Sequence, residues 1–194
     1  MTNKRQQQTQ KLVLGAIMTA LVIILQLLGS FTTFFGPFST AVALIPIVLG
    51  AAMCGTAVGT WLGFVFGMVV ILSGGASFFF TFDVPGTIIT VLLKGTLCGL
   101  AAGLVYKLLS KFNKYVAVFA AALVCPLVNT GIFLLGCYVF FMDSVTQIAE
   151  ALQSPLSGMA VFWALAMGNF ALEIISNVVL SPVIVRILDF AKKK

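Results

Sequence analysis

The sequence predicts an all-α integral membrane protein with six transmembrane helices and both termini in the cytoplasm. Three observations carry that prediction. The chain is 61% hydrophobic and only 8% charged, whereas a soluble domain carries about 25% charge. From Leu12 to Phe82 there is no Asp, Glu, Lys or Arg, so the bilayer must serve as solvent for that stretch. The bases also alternate along the chain. Lys4, Arg5 and Lys11 precede the first apolar run, Lys107, Lys111 and Lys114 share one connection, and Arg186 and Lys192 to Lys194 close the sequence. Asp83, Asp143 and Glu150 fall in the other loops. That is the distribution of the positive-inside rule. The net charge of +6 therefore reports topology rather than a nucleic-acid partner, with contact to anionic lipid a secondary role.

The elements follow in order within a single six-helix membrane domain over residues 1–194. Span 1 covers about 11–29. Basic residues before an apolar run also open a signal peptide, but this run is long for one and no convincing A-x-A site follows, so it is expected to be retained. The connection 30–39 holds Phe31, Phe34, Phe35, Gly36, Pro37 and Phe38. Span 2, about 40–54, is short and contains Pro46, and Gly55 allows a tight turn into span 3, about 56–73. The connection 74–86 is again rich in Gly and Phe, with Phe78, Phe79, Phe80 and Phe82. Span 4 covers about 87–106 and span 5 about 115–140, with Pro126 and Asn129. The connection 142–157 carries Asp143, Gln147, Glu150 and Gln153. Span 6 covers about 159–188. Trp163 and Tyr138 then sit at the outer interface and Tyr106 and Tyr115 at the inner one, as an aromatic belt requires.

Gly59, Gly63 and Gly67 in span 3 and Gly95, Gly99 and Gly103 in span 4 recur every four residues. Each set makes a groove for close backbone approach, and packing inside the chain is the expected use. Gly15, Ala16 and Ala20 mark a similar ridge on span 1 whose face could meet this chain or another. The four cysteines are scattered without a C-x-x-C and read as small apolar fillers.

The chemistry concentrates in span 6. Asn169, Glu173 and Asn177 are spaced i, i+4, i+8 and form one polar stripe on a helix. Apart from Glu173 no charge occurs between Glu150 and Arg186. A carboxylate at membrane depth costs roughly 2.5–3.5 kcal/mol on insertion scales, so a partner, water or a ligand must compensate it. Lys94 is the only base away from the predicted cytoplasmic ends. It lies roughly 12 Å deep and Glu173 roughly 15 Å deep at 1.5 Å per residue. The two could pair, or Lys94 could snorkel outward. Asn129 follows Pro126 by one turn, where the proline leaves a carbonyl unpaired, and is either interhelical glue or a ligand contact. The chain has no histidine, hence no zinc site or His-based triad, and no Walker A motif. Neither enzyme activity nor a bound metal or cofactor is expected.

Six spans in under 200 residues, the basic ends, the ridge Gly15-Ala16-Ile17-Met18-Thr19-Ala20, the run Leu93-Lys94-Gly95 with Gly99 and Gly103, and Asn129 with Asn169 together resemble the S components of energy-coupling-factor (ECF) vitamin transporters. The resemblance covers nearly the whole chain. It implies a substrate-binding subunit open to the outside, in a prokaryotic plasma membrane, with a pocket from spans 4 to 6. Lys94, Asn129, Asn169, Glu173 and Asn177 would contact a water-soluble vitamin or precursor. The connections with Phe34 and Phe35 and with Phe79 and Phe80 would be lids, although interfacial anchoring accounts for such aromatics equally. Gly15, Ala16 and Ala20 would dock on a membrane T subunit that works with two cytoplasmic ATPases. Lys94 suits a carboxylate such as pantothenate, whereas the asparagines resemble riboflavin-type members. Two other classes stay open: a stand-alone proton-coupled or facilitative carrier using Glu173, and a membrane scaffold in which the stripe only glues helices.

Overall fold

The computed structural model describes residues 2–32 and 42–192. Its elements are helices α1 (Thr2–Thr32), α2 (Leu44–Cys54), α3 (Thr56–Leu72), α4 (Ser77–Phe80), α5 (Val84–Leu109), α6 (Lys114–Phe140), α7 (Val145–Ala151) and α8 (Met159–Lys192). No strand occurs among the described residues. Among the described residues, four segments are long and apolar enough to cross a membrane: Gln8–Ser30, Val84–Leu109, Lys114–Phe140 and Met159–Leu188. The chain is thus an all-helical, multi-pass membrane protein.

The differences from the sequence expectation have physical causes. Helix α1 starts well before the apolar run, because the Lys, Arg and Gln residues ahead of it are good helix formers. Helix α2 begins at Leu44, so Pro46 falls in its first turn, where a missing N–H has no intrahelical partner to lose. At roughly 17 Å long, α2 is far shorter than the ~30 Å hydrocarbon core. Leu44, Pro46, Ile47, Val48, Leu49, Gly50 and Ala51 are all buried. A helix that is apolar all round belongs in the interior, and α2 packs against α1, α3, α5, α6 and α8. Gly55 joins it to α3 with φ 103°, a left-handed conformation that favours glycine.

Helices α3 and α5 meet along their glycines. A Cβ on Gly59 would lie 2.9 Å from the Gly99 carbonyl oxygen, and one on Gly67 would lie 2.9 Å from that of Val91. Gly63 and Gly95 face each other so closely that a Cβ on either would strike the other's carbonyl. Lipid tails provide no hydrophobic drive for helix association, so this backbone contact provides the packing. The span 3 and span 4 ridges are therefore internal.

Helix α6 is capped by Asn113, whose Oδ1 accepts from the N–H groups of Tyr115 at 2.8 Å and Val116 at 3.3 Å. It continues through the buried Pro126 to Phe140. Helix α8 contains Pro182, which removes the donor for the Val178 carbonyl. Ser181 replaces that donor, its hydroxyl lying 2.8 Å from the Val178 oxygen. In lipid such re-satisfaction is what allows proline inside a span.

Short elements roof one end of the bundle. The connection 142–157 contains α7, anchored by the fully buried Ile148. Around Ile148 cluster Cys137, Phe141, Val161 and Phe162, with Phe78, Phe79, Phe82 and Phe133 packed against them. The connection carrying Phe34 and Phe35 lies outside the described residues.

Filling the α3–α5 seam should disrupt the bundle. Gly99→Leu is expected to lower unfolding stability in detergent by at least ~2 kcal/mol through overpacking against backbone. A Cβ at Gly131 of α6 meets nothing within 4 Å, so Gly131→Ala should unfold no earlier than the unaltered protein. Equal melting temperatures for Gly99→Leu and the unaltered chain would contradict the seam.

Candidate functional site

Helix α8 places Asn169, Glu173 and Asn177 on its inward face. Glu173 and Asn177 are fully buried. The Glu173 carboxylate accepts from Asn169 Nδ2 at 2.9 Å within the helix. Across the interface with α6, Asn129 Nδ2 lies 3.2 Å from each of its oxygens. Asn129 is itself only 3% exposed. Asn177 Nδ2 donates to the Glu173 backbone oxygen at 2.8 Å. The buried acid thus has amide donors from two helices, the compensation that membrane depth demands.

The hydrogen bonds also fix the amide orientations. Both asparagines turn their N–H₂ groups to the Glu173 oxygens, which accept them. Their carbonyl oxygens are left over. The buried Oδ1 atoms of Asn129, Asn169 and Asn177 have no hydrogen-bond partner among the described residues, although a buried polar group is ordinarily matched.

Beside this cluster is a cavity of about 350 Å³. Its walls include Lys94 of α5, Asn129, Thr130 and Phe133 of α6, and Asn169 of α8. Gly74, Gly75, Ser77, Phe78 and Phe79 of the third connection, 74–86, and Leu152 after α7 cover it. The volume suits a small molecule. Neither Glu173 nor Asn177 is on the wall. Glu173 stands behind the asparagines and sets their orientation, and Asn177 lies one turn further along α8. Lys94 forms no ion pair with Glu173 among the described residues. The Lys94 ammonium lies 5.5 Å from the centroid of the Phe133 ring, a cation–π distance.

The third connection closes the cavity through aromatic contacts. Phe79 meets Phe133 edge-on at 5.6 Å between centroids and Phe141 at 5.1 Å. Phe80 instead packs against the main core. On α1, Ala16 and Ala20 are exposed on the surface of the bundle, while Gly15 is half-buried. A Cβ on Gly15 would lie 3.6 Å from Val58 of α3. Among the described residues no group of three or more His, Cys, Asp and Glu side chains could hold a metal ion.

Among the wall residues that the sequence reading did not single out, Gln26 is the buried amide. Gln26 of α1 is fully buried and lines the cavity. Its Nε2 donates to Ser30 Oγ at 3.4 Å, and its Oε1 has no partner. The available signal was compositional: Gln26 is the only Asn or Gln between Leu12 and Phe82.

A family model described as the substrate-specific component of ECF transporters matches residues 10–185. Nothing matches among curated proteins or among solved structures.

Replacing Glu173 by Ala would leave two buried amide donors facing no acceptor. Each unmatched donor costs about 1–3 kcal/mol, so Glu173→Ala should lower the melting temperature in detergent well below that of Glu150→Ala. Glu150 is on the exposed surface of α7 and provides the comparison. Indistinguishable unfolding of the two variants would contradict the cluster.

Proposed function

The chain belongs to the family of ECF-transporter substrate-specific components, and from that premise we propose that it captures a water-soluble vitamin or precursor, riboflavin- or pantothenate-like, from outside the cell. A membrane T subunit and two cytoplasmic ATPases complete the importer in this reading, and ATP hydrolysis belongs to those partners. The observation that carries the proposal is the cavity of about 350 Å³ walled by Lys94, Asn129 and Asn169. Two of those side chains are held in place by a sealed carboxylate. Preorganised polar groups on rigid helices, with an apolar remainder, are what a selective small-molecule site requires.

The topology is six spans in a prokaryotic plasma membrane, with both termini cytoplasmic and α2 and α3 as two short crossings. The basic residues at both ends and between α5 and α6 support it. The third connection serves as a lid, with Phe79 as its plug. Ala16 and Ala20, turned away from the chain's own core, dock on the T subunit, where small side chains permit close helix approach. Glu173 acts as an orienting residue, since it is off the cavity wall. That same position weighs against a carrier in which Glu173 takes up the transported proton.

The roles separate experimentally. Asn169→Ala should weaken binding of whichever of riboflavin or pantothenate the purified protein takes by about 1–3 kcal/mol, measured by calorimetry. Unchanged affinity removes Asn169 from the site. Ala16→Trp and Ala20→Trp should leave that affinity near the unaltered value and abolish both assembly with the T subunit and ATP-driven uptake. Normal assembly and transport would refute the docking role, and so would loss of substrate binding along with assembly. Substrate should also slow hydrogen exchange across residues 74–82. Identical exchange with and without it would leave that connection as a membrane anchor.

A further inference from the structure

Four features of the cavity wall define the chemistry it takes. Among the described residues, Lys94 is the only charged side chain on it. The balancing acid, Glu173, is set back behind Asn129 and Asn169 and has its oxygens occupied by their amides. The wall also holds three side-chain carbonyls without donors: Oδ1 of Asn129, Oδ1 of Asn169 and Oε1 of Gln26. Gln26 Nε2 lies 3.4 Å from Ser30 Oγ, which also lies 3.0 Å from the Gln26 backbone oxygen and 2.9 Å from Ser73 Oγ. With its N–H₂ group turned to Ser30, Gln26 leaves its carbonyl oxygen without a partner among the described residues.

We infer that the cavity selects a carboxylic acid bearing several O–H or N–H donors, with its carboxylate at Lys94 and its donors on the carbonyls of Gln26, Asn129 and Asn169. The inference rests on the capture reading above and narrows its substrate class. A neutral ligand would leave the Lys94 ammonium with no anion in direct contact in a low-dielectric wall, because Glu173 is set back behind the amides, and that is unfavourable. An acid without donors would leave three buried carbonyls unmatched, and sites built around hydrogen bonds reject such analogues strongly. Gln26 is then a binding residue contributed by α1, the helix whose other face carries Ala16 and Ala20.

The test uses the full chain in detergent and three probes in titration calorimetry. Pantothenate has the charge and the donors, pantothenol keeps the donors but replaces the carboxylate by an alcohol, and riboflavin is neutral and donor-rich. Pantothenate should bind, with pantothenol and riboflavin each weaker by about tenfold or more. Lys94→Met should erase the preference for pantothenate over pantothenol. Gln26→Leu should weaken both of those probes by a similar factor, roughly tenfold, and preserve the ratio between them. Pantothenol or riboflavin binding as tightly as pantothenate overturns the inference while leaving vitamin capture standing. So does unaltered pantothenate affinity in folded Gln26→Leu. Should Gln26→Leu fail to fold, the comparison of acid and alcohol on the unaltered protein still decides the charge assignment. Binding of none of the three contradicts the capture reading itself.

Discussion

The hydrogen bonds between Glu173 and the amides of Asn129 and Asn169 are the constraint on which the site depends. A carboxylate among apolar helices is tolerated only when its lone pairs are matched. Here α8 provides one donor from its own preceding turn and α6 provides the other. The cost of burying the acid thereby fixes how α6 and α8 face each other. It also fixes which end of each asparagine is left for the cavity, so an electrostatic necessity of the bundle becomes the polarity of a binding wall.

The remaining helices make that arrangement rigid. The glycine seam lets α3 and α5 approach at backbone distance, which carries Lys94 to the cavity wall on a helix that cannot drift. Helix α2 fills the centre with a short, wholly apolar plug. On the roof, Phe79 of the third connection meets Phe133, whose ring also lies under the Lys94 ammonium. The connection 74–86 and the Lys94 ammonium therefore meet on one aromatic residue.

Much of this was legible in the sequence, for reasons of range. The stripe Asn169, Glu173 and Asn177 follows from helical periodicity alone, because its contacts are local. The bond from Asn129 spans 44 residues, and sequence could nominate Asn129 only as a polar residue near a proline. Lys94 and Glu173 were placed at similar depth, but depth does not fix distance, and the two do not touch. Gln26 was missed because an uncharged amide in an apolar run carries no large insertion penalty and draws no attention beside a buried acid. Helix α7 was missed because Asp143, Gln147, Glu150 and Gln153 suggest a wet loop, while the burial of Ile148 that holds the helix down is a tertiary effect. The length of α2 was legible as shortness, but its position inside the bundle was not.

The central claim is that Glu173 and Asn129 act as one unit. It is tested most directly by a double-mutant cycle on unfolding free energy in detergent, using Asn129→Ala, Glu173→Ala and the double variant. The account predicts a coupling energy of about 1–3 kcal/mol, the range expected of residues sharing one hydrogen-bond network. Additive effects, with coupling near zero, would show that the carboxylate is compensated elsewhere and would contradict the account.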